Sequence, residues 1–157
     1  MGRYPRFLLM FPFPCFAVIR TMARYDKEYF KLKTTVHTTE DAERLCCDIG
    51  GILPEPKNSE ENDFVSDMMG TTGFIFLGLN DKDHEGQWVT NSFGEQPTWT
   101  FWHSGQPSGG TDKNCAVQVY DSGYAPDHKR WYSVPCHERV NVPVVCEKRR
   151  KYTIYQG

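Results

Sequence analysis

Six cysteines, Cys15, Cys46, Cys47, Cys115, Cys136 and Cys146, carry the most definite chemistry in this 157-residue sequence. They include no Cys-x-x-Cys pair, and the five histidines are scattered, so the spacing speaks against zinc and for disulfides in an exported protein. Oxygen donors gather in Asn80-Asp81-Lys82-Asp83-His84-Glu85-Gly86, a turn that can hold a hard cation or cap its own backbone. His103 and His128 have no Ser or Cys nucleophile in a matching context, and no close acid pair stands ready for general acid and base work. The chemistry on offer is recognition rather than catalysis.

The elements that must position these groups are those of one compact domain. A chain 39% hydrophobic and 14% aromatic buries one core and is too short for two ordinary domains. Eighteen basic against 20 acidic residues leave a net charge of −2, which provides no basic face for nucleic acid. The one basic run, Lys148 to Lys151, reads as a solvated tail, with 151–157 following the domain.

At the other end, Arg3 and Arg6 precede an apolar run from Phe7 to Ile19, then small residues at Thr21 and Ala23. Residues 1–23 read as a secretory signal, and the run is too short and too proline-broken to span a membrane stably. Removing Cys15 with that signal leaves five cysteines, an odd number.

Thr38 to Ile49 has the helical spacing of Ala42, Leu45, Cys46 and Ile49, with a capping pair at Thr38 and Asp41 and Gly50 as its stop. Asn58 or Ser59 opens a second helix with Glu60, Glu61 and Asp63 in its first turn and Phe64, Val65 and Met68 on its buried side. Beyond Gly73 the pattern becomes that of strands, at 74–79, 87–89, 116–120, 131–134 and 142–147, around a long turn-rich stretch from Asn80 to Lys113. Two helices followed by strands make an α+β arrangement. Loops this long in a compact domain are usually functional.

Several fragments occur together and in order: Phe76-Leu77-Gly78-Leu79, Gly86-Gln87-Trp88, Trp102-His103-Ser104-Gly105-Gln106-Pro107, Trp131 to Cys136, and Val145-Cys146-Glu147-Lys148. With Cys46 and Cys115 in register, the series resembles the C-type lectin-like domain over about 29–149, inside a domain spanning 24–150. The resemblance implies two helices on small antiparallel sheets with a long irregular loop region, and disulfides joining Cys46 to Cys146 and Cys115 to Cys136. Cys47 is then the odd thiol, either buried and inert or open to a dimer through an intermolecular bridge. Trp88, Trp102 and Trp131 fall on core positions of the family, whereas Trp99 and Tyr124 are expected at the surface.

Calcium-dependent lectins of this family hold the ion with a Glu-Pro-Asn or Gln-Pro-Asp tripeptide, an acid two residues before the third cysteine, and an Asn-Asp pair after a Trp. Here the corresponding residues are Gln106 and Ser108, Lys113, and Tyr132 and Ser133. None is an anion and one is a cation, a poor set for a divalent ion that wants six to eight oxygens. Lys113 is expected to stand in the vacated cation position and donate to Gln106 or to neighbouring carbonyls. A second family calcium site is partly kept in Asp81 and Glu85, with Asn114 as a further oxygen. The resulting expectation is a secreted, non-catalytic recognition module that binds a protein, a matrix surface or a glycan, without sugar-site Ca2+. The alternative is a calcium-dependent carbohydrate-binding lectin, with Gln106 leaning to galactose.

Overall fold

The computed structural model describes residues 25–70, 73–120, 128–137 and 141–151. The proposed signal, Tyr124 and the end of the chain lie outside them. The chain runs β1 (Tyr25–Val36), α1 (Thr39–Asp48), α2 (Ser59–Asp67), β2 (Gly73–Asn80), β3 (Val89–Thr90), a 3-10 turn (Gly110–Asp112), β4 (Cys115–Tyr120), β5 (Trp131–Val134) and β6 (Val142–Lys151).

Both helices start where their caps dictate. Thr38 Oγ1 accepts from the Asp41 N–H at 3.1 Å, and Asn58 Oδ1 accepts from the Glu61 N–H at 2.8 Å, each satisfying a donor the helix cannot. Gly50 follows α1 at a φ of 75°, a conformation glycine adopts without strain. The second helix differs from expectation on one face: Val65 is buried, but Phe64 is 56% exposed and leans on Tyr29.

The strands form two antiparallel sheets, β1 with β6 and β3-β2-β4-β5 in that order. β1 carries no clean alternation of polar and apolar residues, and the sequence did not announce it. It exists because β6 pairs with it from Tyr25 opposite Lys151 to Val36 opposite Val142. The basic run is therefore not a solvated tail: Lys148 to Lys151 are the second half of β6. Arg149 is turned inward, where its Nη2 meets Glu55 Oε2 at 2.5 Å and its Nε meets Glu147 Oε1 at 2.7 Å.

Two disulfides lock the fold, Cys46 in α1 with Cys146 in β6 across 100 residues, and Cys115 in β4 with Cys136 just past β5 across 21. In the chain-entropy account such closures are worth about 4–5 and about 3 kcal/mol. Cys47 is disulfide-bonded too, and no described cysteine is free. The leftover thiol expected at this position is thereby corrected: the Cys47 sulfur is paired in this structure.

The core has three parts. One joins α1 to both sheets through Ala42, Cys46, Leu53, Phe76, Val144 and Cys146. Another packs Leu77, Leu79, Trp88 and Trp131 beneath the long loops. The third seats α2 through Val65 and Met69 on Ile75 and Val145. The second of these supports the candidate site.

Candidate functional site

The site begins with β5. Alternation along the strand turns Trp131 fully inward, and its Nε1 donates to Asn62 Oδ1 at 2.7 Å, so α2 fixes the depth of the strand. Tyr132 is only half-buried, while Ser133, 3% exposed, meets the loop that precedes it in sequence. That loop turns at Gly105 and at a cis bond between Gln106 and Pro107.

Ser133 closes it. Its hydroxyl accepts from the Ser108 N–H at 2.7 Å and has the Ser108 carbonyl at 2.6 Å and Gln106 Oε1 at 2.9 Å as places to donate. Its backbone N–H also donates to Gln106 Oε1, at 3.1 Å. A neutral hydroxyl thus ties together the stretch carrying three of the residues singled out in the sequence, Gln106, Ser108 and Ser133. Beside them the His103 ring stacks on Tyr132, with centroids 5.0 Å apart and planes 18° from parallel.

Lys113 does not reach Gln106. The Gln106 oxygen is occupied by Ser133, and the Lys113 ammonium makes no hydrogen bond or ion pair among the described residues. Its methylenes lie across Gly109, where an added Cβ would come within 2.5 Å of Lys113 Cδ. Lys113 instead lines a cleft of about 210 Å³ together with Asp81, Glu85, Trp88 and Ser108. Asn114 connects to this region through its backbone, its carbonyl accepting from the Asp81 N–H at 3.3 Å.

Trp99 departs from expectation. It is half-buried, stacked on Phe101 at 5.5 Å and edge-on to Trp131 at the same distance, so it packs the loop base instead of facing a ligand. There the loop aromatics Trp99, Phe101 and Trp102 extend the core that β2, β4 and β5 present through Leu77, Leu79, Ala116 and Trp131.

A family model for the lectin C-type domain matches residues 35–148. The chain belongs to the C-type lectin domain family. Domains of this family bind ligands and are not enzymes. The chain is 32% identical to human C-type lectin domain family 4 member D over 110 residues, 69% of this chain and 49% of that protein. To human tetranectin it is 32% identical over 120 residues, 73% and 56% of the two. It thus spans about half the length of the curated relatives it matches. The mouse scavenger receptor C-type lectin carbohydrate-recognition domain superposes with a TM-score of 0.67 at 25% identity, over 80% of this chain and 92% of that one.

Calcium is the ion this family implies, and the lectin-type loop does not fit it. Gln106, Ser108, Lys113, Tyr132 and Ser133 contribute no carboxylate, and the Gln106 and Ser133 oxygens are spent on each other. At the second position Asp81 is 3% exposed; its Oδ2 accepts from the Gly86 N–H at 2.9 Å, and its Oδ1 is buried with no hydrogen-bond partner. Asn114 Oδ1 is in the same condition. These orphaned oxygens ask for positive charge, but Glu85 is the one other carboxylate lining the cleft, and a cation, Lys113, lines it too. Among the described residues no three His, Cys, Asp or Glu side chains converge as a metal site does.

Two features of the lectin-type domain escaped sequence reading. Buried Glu55 and Glu147 organise the β1–β6 end: Glu55 receives the Ser92 N–H and hydroxyl at 2.8 and 2.7 Å, and Lys27 bridges Glu61 at 2.5 Å and Glu147 at 3.3 Å. Burial raises the Glu55 pKa, with Arg149 pulling the other way. For Arg149 itself burial works against the charge, and Glu147 and Glu55 outweigh it and raise its pKa. The other feature is Asn62, whose side chain holds Trp131, Gln118 and the Lys129 carbonyl. Neither has a local sequence signal, because the partners are distant in the chain: Ser92 lies 37 residues from Glu55, and Trp131 lies 69 from Asn62.

Proposed function

We propose that this chain supplies an extracellular recognition domain, residues 24–150, that binds a protein, matrix surface or glycan without a sugar-site calcium. The observation that supports this most is the Ser133 hydroxyl holding Gln106 and Ser108 in place of a metal. A loop already closed by hydrogen bonds has no ordering cost left for an ion to remove. The stacked His103–Tyr132 pair supplies an aromatic face beside that loop, Ser108 and Lys113 line the neighbouring cleft, and Gln106, Asn114 and Ser133 complete the candidate set. Tyr124, in the polar sequence stretch 121–130 and outside the described residues, is a further candidate contact residue on its sequence context alone. Among the described residues no helix is long and apolar enough to cross a membrane.

The test is a glycan-array screen of the folded protein in calcium and again in EDTA. Binding of equal strength in both conditions supports recognition by the loops themselves. No binding in either directs the search to a protein or matrix ligand, to be followed by capture on extracellular matrix components. Binding that disappears in EDTA overturns the proposal and restores a calcium lectin.

A further inference from the structure

The cleft beside the Ser133 loop has a surplus of acceptors. Asp81 Oδ1 is buried in its wall without a hydrogen-bond partner, and Glu85 adds a second carboxylate; Asn114 Oδ1, on the residue after Lys113, is also buried and unpartnered. A buried carboxylate oxygen left unpaired is among the more costly arrangements a protein can carry, and an adjacent positive charge relieves it. The Asp81 backbone and Oδ2 are fully engaged with Asn114 and Gly86, so the carboxylate cannot turn outward to find water without breaking the Asn80–Gly86 loop.

One cation lines that cleft, and its path is prepared. Gly109, at a φ of 98°, provides the flat floor on which the Lys113 methylenes lie, and the Lys113 backbone is held by the Gly110 carbonyl at 3.1 Å. The ammonium has no other claim on it among the described residues. Lys113 and Asp81 line the same cleft, and rotation about the last bonds of the long, flexible lysine stem is the movement that would bring the two together. We propose that Lys113 is a tethered cation, supplying to the Asp81 and Glu85 carboxylates the positive charge that would otherwise have to come from solution. Because it is covalently attached, its effective concentration is set by the length of its own side chain and does not fall when free ions are removed. Any divalent ion entering the cleft must displace it against Coulomb repulsion.

This rests on the calcium-free reading above and is tested separately from ligand binding, by thermal unfolding of the full chain. Lys113→Met keeps the stem on Gly109 and deletes only the charge. Expected is a fall in Tm of about 3–5 °C for a group of this kind in a domain of this size. Adding Asp81→Asn to Lys113→Met should recover most of that loss, whereas Asp81→Asn in the otherwise unchanged protein should not raise Tm. Wild-type Tm should be the same in millimolar calcium and in EDTA. An equal effect of Asp81→Asn in both backgrounds, or a Lys113→Met protein as stable as wild type, would overturn the tethered cation while leaving metal-free recognition standing. A wild-type Tm that rises in calcium would overturn both.

Discussion

The two polar knots of this molecule solve one problem in opposite ways. The Ser133 knot fixes the recognition loop with a hydroxyl, an amide and backbone groups, none of them charged. The knot at the β1–β6 end fixes Glu55, Glu147, Arg149 and Lys27 with buried ion pairs. A neutral knot is cheap to desolvate and indifferent to pH and salt. A charged one is held by strong attractions that must offset a large desolvation cost, and each member depends on all the others. The lesson is that the loop proposed to meet a ligand is built from interactions that survive changes of solution, while the closure of the fold relies on a cluster that does not tolerate loss of a member.

The largest effect that distinguishes them should come from Arg149→Met. It leaves Glu55 and Glu147 buried without their shared cation and should cost about 3–5 kcal/mol in chemical denaturation. Ser133→Ala, which removes a neutral hydroxyl, should cost only about 1–3 kcal/mol. Its signature is local: faster amide exchange at Ser108, with the β1–β6 amides unchanged. If the two substitutions cost the same, the distinction drawn between the knots fails.

The pH profile sharpens the comparison further. The Glu55 carboxyl is raised by burial above its unfolded value, so between those two values the native state holds more protons than the unfolded one. Stability contributed by this group is therefore fully present below the unfolded pKa and is lost as pH rises through the folded pKa. Glu55→Gln should flatten that decline between mildly acid and neutral pH in a series of unfolding curves, and Ser133→Ala should leave its shape unaltered. The smallest effect expected is that of Phe64→Ser, outside both knots and 56% exposed: within about 0.5 kcal/mol of wild type by thermal unfolding.

Legibility in the sequence followed the range of the interactions. Helix α1 was readable to within a residue because its cap, its apolar spacing and its stop at Gly50 are all local. The strands β2, β4 and β5 were readable because they bury Phe76, Leu77, Val117 and Trp131 in short apolar runs. β1 was not, since a strand of a two-stranded sheet wet on one side shows charges along its whole length. Phe64 looked like core because a large apolar residue beside Val65 usually is. Its exposure depends on how α2 is rotated against Val145 and Ile75.

By itself the sequence determined the α+β class, the motif series of the family and the loss of carboxylates from the calcium-binding positions. These depend on residue identity and near spacing. Only the tertiary structure decided what replaces the ion at the loop, where the basic run of β6 goes, and which cleft receives Lys113. The physical reason is the same in each case. A hydroxyl, a guanidinium or an ammonium acquires its role from partners brought within hydrogen-bonding or Coulombic reach: Ser133 from Gln106, 27 residues away, and Arg149 from Glu55, 94 residues away. No local pattern records an encounter that folding alone brings about.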